Sequence, residues 1–211
     1  MGIKRYIADK DTTITNAFEP DLLTRATASN MGESDVLEVF SIYGQAASSS
    51  AELSRVLVEF PVVDMSSDRT AGTLPASGNV NFFLRMYNAK HSSTLPRQFT
   101  IEVSALSQSW EEGYGLDMDE YSDRTHDGTG SNWVRRSMDD SWGTIGGHSH
   151  TSPKFTQDFE RGHEDLEVDI THLVENWIDA ETEGSAGAGG GSDWRKLNYG
   201  VGIQLISSQE A

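Results

Sequence analysis

The sequence predicts an all-β fold: an antiparallel β-sandwich of jelly-roll type with one short lid helix and long loops. Three observations predict it. Apolar residues recur at every second position in Leu53–Phe60 (LSRVLVEF), in Leu166, Val168 and Ile170, and in Val201, Ile203 and Leu205, which is the pattern of half-buried strands. From Ile170 the period changes, and Leu173, Val174, Trp177 and Ile178 fall on one face of a helix over about 170–179. Elsewhere the strand-like stretches alternate with polar, turn-rich loops, and no long helical period occurs.

Tyr6 to Thr15 reads as the first strand and Leu37–Tyr43 as the second, with the turn-rich loop Thr27–Asp35 between them. In Leu53–Phe60, Leu53, Val56 or Leu57, Val58 and Phe60 compete for the inner face, and Pro61 ends the strand or confines it to an edge. Val80–Tyr87 and Gln98–Ser107 are further strands. Trp110–Lys154 is long, polar and glycine-rich, and a loop of that length inside a domain is expected to be functional or an interaction arm. Asp169 or Thr171 is the expected N-cap of the helix. Burying each of its large apolar side chains contributes about 1.5–3 kcal/mol, so it should pack down as a lid. A flexible glycine-rich insertion, Gly184–Ser192, then leads to the closing strand Asn198–Ile206. A single domain over residues 1–211 is expected.

Charge narrows the partners. The chain holds 33 acidic and 16 basic residues, a formal net charge of −17. Nucleic acid and anionic membranes both demand clusters of Lys and Arg, and none is visible, so neither is an expected partner. With no cysteine, disulfides and thiolate metal sites are excluded. No apolar run approaches the length of a membrane span, and no secretory signal is apparent at the start.

One ordered set of motifs runs through nearly the whole chain. It consists of Ser54, Arg55, Leu57 and Phe60; Trp110 with Glu111; Trp133; Asp169-Ile170-Thr171 with Val174 and Trp177; and Asn198-Tyr199-Gly200. This set resembles the DNRLRE-type domain, a carbohydrate-binding-module-like β-sandwich. The resemblance covers roughly residues 5–207 and implies mostly structural roles: Arg55, Phe60, Trp110, Trp133, Trp177 and Tyr199 as core and sandwich-closing residues. Two features depart from the family pattern: the usual signal peptide is absent, and the loop Trp110–Lys154 is longer than such a domain needs. In overall style the chain is also similar to virion proteins of marine tailed phages, which implies a neck, tail, fibre or capsid-decoration component.

Each chemical motif has a bland counterpart. Asp117, Asp119, Glu120, Asp123 and Asp127 cluster in the long loop, and a calcium ion takes about six to eight oxygen ligands, so Asp117, Asp119 and Asp123 are candidate ligands of a structural calcium. The spacing is not that of an EF-hand, and in a chain this acidic solvated carboxylates are the default. His148 and His150 would share a strand face, with His126 upstream, but no third ligand is assured. Adjacent Glu111 and Glu112 would point to opposite faces of a strand and cannot flank one glycosidic bond. No nucleophile elbow or phosphate loop occurs, so neither an enzyme nor a cofactor is expected. Arg55, on an apolar strand, requires a partner such as Asp169 or Glu111. Trp142 and Trp194, in glycine-rich surroundings, are candidate interface anchors.

The expected function is therefore a non-enzymatic virion structural protein, made in the host cytoplasm. It would bind neighbouring virion proteins through loops on a rigid sandwich, as a homo-oligomer or a symmetric array on the particle. The alternative is a carbohydrate-binding module or adhesin, which would carry an exposed aromatic platform on a sheet face or loop end and bind a glycan.

Overall fold

In the computed structural model, which describes residues 2–43, 51–90, 95–117, 129–186 and 193–210, the alternating stretch around Arg55 becomes the centre of the molecule. The elements are β1 (Lys10–Thr15), β2 (Ser41–Tyr43), β3 (Ala51–Glu59), α1 (Val62–Thr70), β4 (Phe83–Met86), β5 (Phe99–Leu106), β6 (Ser149–Phe159), β7 (Leu166–Asp169), α2 (Thr171–Thr182) and β8 (Val201–Leu205). All strand pairs are antiparallel. The large sheet has the order β1-β3-β8-β5-β6, with β2 added against the start of β3, and β4 pairs with β7 in a second, two-stranded sheet. The fold is all-β and antiparallel, consistent with a sandwich, and its strand order is compatible with the jelly-roll type.

Period two decides which face each residue takes. Val56 and Val58 of β3, Ile101, Val103 and Ala105 of β5, and Val201, Ile203 and Leu205 of β8 point to one side of the large sheet. They meet Leu84, Leu166 and Val168 of the small sheet and Val62, Met65, Leu173, Val174, Trp177 and Ile178 of the two helices, which together form the second layer. Leu57 and Leu106 point the other way, with Ile14 of β1, and build a second core on the opposite face. The competition among Leu53, Val56, Leu57, Val58 and Phe60 thus has no single winner, because β3 is buried on both faces.

α2 is the expected lid, extended to Thr182. Its N-cap position is Ile170, which has no capping side chain. The two expected capping residues act beside it: Asp169 accepts the Thr171 N–H at 2.9 Å, and the Thr171 hydroxyl accepts the Phe82 N–H at 2.8 Å, tying the helix start to the chain entering β4.

Three elements differ from the sequence reading. The first strand starts at Lys10 rather than Tyr6, because Lys4 and Tyr6 are held by Asp68 on α1 instead of by a sheet neighbour. α1 was not expected. Pro61 stands at its N-cap, where the absent N–H is no loss, but only Val62, Met65 and Ser66 are buried, so the apolar period is too sparse to see. β6 was not expected either, and residues 149–154 belong to it rather than to the long loop. Its inward residues Phe155, Gln157 and Phe159 alternate with exposed Lys154, Thr156 and Asp158, and Pro153 argues against a central strand. As an edge strand, β6 tolerates that proline.

Candidate functional site

The face of the large sheet opposite the helices is not left to solvent. Trp110, Trp133 and Trp142, drawn from the long segment that follows β5, cover Ile14, Leu57 and Leu106, with Leu53 and Tyr199 at the margin. Two indoles satisfy their N–H groups within this layer: Trp110 donates to the Tyr199 carbonyl at 2.9 Å and Trp142 to the Asn132 carbonyl at 2.8 Å. Trp142, expected as a surface anchor, is instead only 5% exposed. A large apolar ring with one donor buries well wherever a loop carbonyl can accept that donor. Trp194 is half-buried. It packs against the helix-side core, its carbonyl accepts the Trp177 indole N–H at 2.8 Å, and its ring meets His172 edge-on at 5.4 Å.

Arg55 lies on the Trp side of β3. Its partner is neither Asp169 nor Glu111 but Glu210, which it grips through two bonds of 2.9 and 2.6 Å, while Nη1 donates to the Gly146 carbonyl at 2.7 Å. The guanidinium sits 5.2 Å from the Trp133 ring centroid. This geometry fastens the segment after β8 to the centre of the sheet. Phe60 and Tyr199 are half-buried at the edges of the two cores, and Trp177 is wholly inside the larger one.

A polar knot locks the loop layer in place. Asn30 is fully buried; its amide donates to the carbonyls of Glu112 (2.7 Å) and Ser131 (2.8 Å), and its Oδ1 accepts the Gly115 N–H at 2.7 Å. Asp117, also buried, accepts the Asn30 N–H at 2.7 Å, and the Asp117 N–H returns a bond to the Asn30 carbonyl at 3.1 Å. Gly113 and Gly130 have φ of +81° and +75°, and a Cβ at either would meet the Asn30 amide at 2.4 or 2.5 Å. Only glycine lets the loop 29–33 thread so close to 112–117 and 130–132.

The same geometry settles where the other candidate side chains go. Asp117 staples two loops, while Asp119, Glu120, Asp123, His126 and Asp127 lie outside the described residues. Among the described residues no group of three or more His, Asp or Glu is gathered to hold a metal ion. His148 approaches Gln108 at 3.3 Å, and burial, with His148 nearby, depresses the imidazole pKa of His150. Glu112 accepts the Asp11 N–H at 2.7 Å and so ties the loop layer to β1, while Glu111 accepts the Met138 N–H at 3.3 Å. The two glutamates are tied to separate backbone donors.

Outward, the layer carries apolar side chains. Tyr114, Leu116, Met138 and Ile145 are 69%, 47%, 50% and 59% exposed, on backbone fastened from below by the tryptophans and Asn30. Backbone bonds join the segments that carry Tyr114, Leu116 and Met138: Glu33 N–H to the Gly115 carbonyl, Ser131 N–H to Glu111, and Glu111 N–H to Arg136. A second exposed feature lies on the small sheet, where Phe83 and Tyr87 stand outward on either side of Arg85. Arg85 pairs with Glu167 at 2.9 Å and lies 5.6 Å from the Tyr87 ring centroid. Asn30 and Glu210 carry no motif in the sequence, since their importance comes from partners about 80 and 155 residues away.

Compared with known proteins, the chain matches no family model, no curated protein and no solved structure. Among the described residues no helix is long and apolar enough to cross a membrane.

Proposed function

We propose that the protein is a non-enzymatic structural component of a phage particle, in which the sandwich serves as a rigid scaffold and the loop layer binds neighbouring virion subunits. The observation that supports this reading is the strip Tyr114–Leu116–Met138: exposed apolar side chains on segments that hydrogen bonds fasten to their neighbours. Apolar side chains on a pre-organised surface bind with little ordering cost, which is what a subunit in a repeating assembly requires. The sequence suggested an arm that orders on assembly. The described part of that segment already packs on its own sheet, so docking would use a formed face.

The test is quantitative mass spectrometry of gradient-purified particles from the source culture. A stoichiometric signal relative to the major capsid protein is expected. A high ratio would correspond to a decoration role, and a few copies per particle to neck, tail or fibre. Absence from particles would remove the proposal.

A second reading, a carbohydrate-binding module, is favoured by the outer face of the small sheet. Phe83 and Tyr87 stand four positions apart, roughly 13 Å along an extended chain, and flank a charged pair that can donate and accept hydrogen bonds. Flat rings with planar polar side chains between them suit sugar rings and their hydroxyls. A glycan array with the recombinant protein should then show binding that Phe83→Ala and Tyr87→Ala each abolish. An array without hits would dispose of this reading.

A further inference from the structure

We infer that the surface docked on the loop layer is basic, with Lys and Arg side chains surrounding an apolar centre. This rests on the assembly reading above and names the partner's chemistry. The loop segments 16–40, 108–117 and 129–147 carry five, three and two carboxylates respectively, against three arginines and no lysine. Each of the three arginines is hydrogen-bonded or ion-paired, and Arg135 alone among them is exposed. Arg25 donates to the carbonyls of Asn16 and Ala51, Arg135 to that of Met138, and Arg136 pairs with Asp140 at 2.6 Å. Glu33, Asp35, Glu38 and Asp139 are exposed, and none of them has an ion-pair partner among the described residues.

Two of these residues adjoin the apolar strip along the backbone. Glu33 is bonded through its N–H to Gly115, between Tyr114 and Leu116, and Asp139 follows Met138. The layer thus has the anatomy of an interface, an apolar centre with a charged rim, and on that rim the unpaired carboxylates Glu33, Asp35, Glu38 and Asp139 outnumber the one exposed arginine, Arg135. A second copy of the chain would bring the same sign, and at −17 per copy two such faces repel. An anionic membrane or a nucleic acid would be repelled in the same way. A basic protein surface pairs the rim, excludes water from the strip, and is steered onto it from a distance.

The experiment is zero-length carbodiimide cross-linking of purified particles, which joins carboxylates to amines in direct contact, followed by mass spectrometry. Links from Glu33, Asp35, Glu38 or Asp139 to lysines of a different virion protein are expected, and they should fall severalfold when the reaction is run at high salt. A second measurement covers an arginine-only partner. The triple variant Glu33→Gln, Asp35→Asn, Asp139→Asn, at three exposed and unpaired positions, should fold normally by circular dichroism and enter particles about tenfold less. Three outcomes overturn the inference while leaving the assembly reading intact: links running only from Glu167 or Asp169 on the small sheet; links only between copies of this chain; and a triple variant that incorporates like the parent with no cross-links at the rim. A chain absent from particles overturns both.

Discussion

At the residue scale, Trp142 shows how far local context can mislead. Gly143, Gly146 and Gly147 follow it in a polar stretch, and such a setting reads as surface, but the indole N–H finds the Asn132 carbonyl and the ring fills the space above Leu57 and Leu106. Trp142→Ala should therefore lower the unfolding free energy by about 3–5 kcal/mol in urea titrations, the cost of emptying a packed aromatic site. A surface anchor would change it by less than about 0.5 kcal/mol. His150 offers a pH test. Burial lowers its folded-state pKa, aided by His148 and opposed by Asp193. Above about pH 6.5 both folded and unfolded states hold a neutral imidazole, and stability is unaffected. As pH falls below that value the unfolded state takes up the proton first, so stability declines until the pH passes the folded value. His150→Gln should flatten the stability profile just below about pH 6.5. Acid loss from Asp68, which Lys4, Tyr6 and Thr73 hold down to about 2, begins only below about pH 4 and is separable.

At the scale of elements, the two helices are joined by more than apolar contact. Arg69 of α1 reaches Glu175 of α2 through two bonds of 2.7 and 3.0 Å, with side chains only 13% and 11% exposed. Removing one partner leaves a buried charge without its counterion, so Arg69→Leu or Glu175→Leu alone should cost about 3–5 kcal/mol. The double variant should recover most of that loss, because two apolar side chains of similar reach satisfy each other. Thermal melts of the two single variants and the double variant check it. α2 was legible because Leu173, Val174, Trp177 and Ile178 mark a full stripe, whereas α1 shows too few apolar positions and has an arginine whose partner lies 106 residues away. β6 was hidden for a related reason: an edge strand with one exposed side need not be hydrophobic, and only Phe155 and Phe159 betray it.

At the scale of the whole molecule, one sheet serves two cores. Successive residues of β3, Val56 and Leu57, belong to different cores, as do Ala105 and Leu106 of β5. A strand cannot lose one face and keep the other, so the loop layer and the helix layer should melt together. Far-UV circular dichroism follows the backbone, and near-UV signals arise mainly from Trp110, Trp133 and Trp142 in one core and Trp177 in the other. The two transitions are expected to coincide. A near-UV transition that precedes the far-UV one would show the loop layer to be a separate, weaker unit.

The sequence by itself determined the all-β class, the core of β3, β5, β7 and β8, and the lid helix, because those depend on period and on the free energy of burying large apolar side chains. It also determined the acidic net charge. Tertiary structure alone decided that the segment after Trp110 covers the second face of the sheet, that Arg55 pairs with Glu210, and that Asn30 threads three glycine-flanked loops. Each of these is a bond between groups far apart in the chain. Hydrogen bonds and ion pairs leave no periodic trace in a sequence, since one polar residue at one position suffices once the fold has brought its partner within about 3 Å.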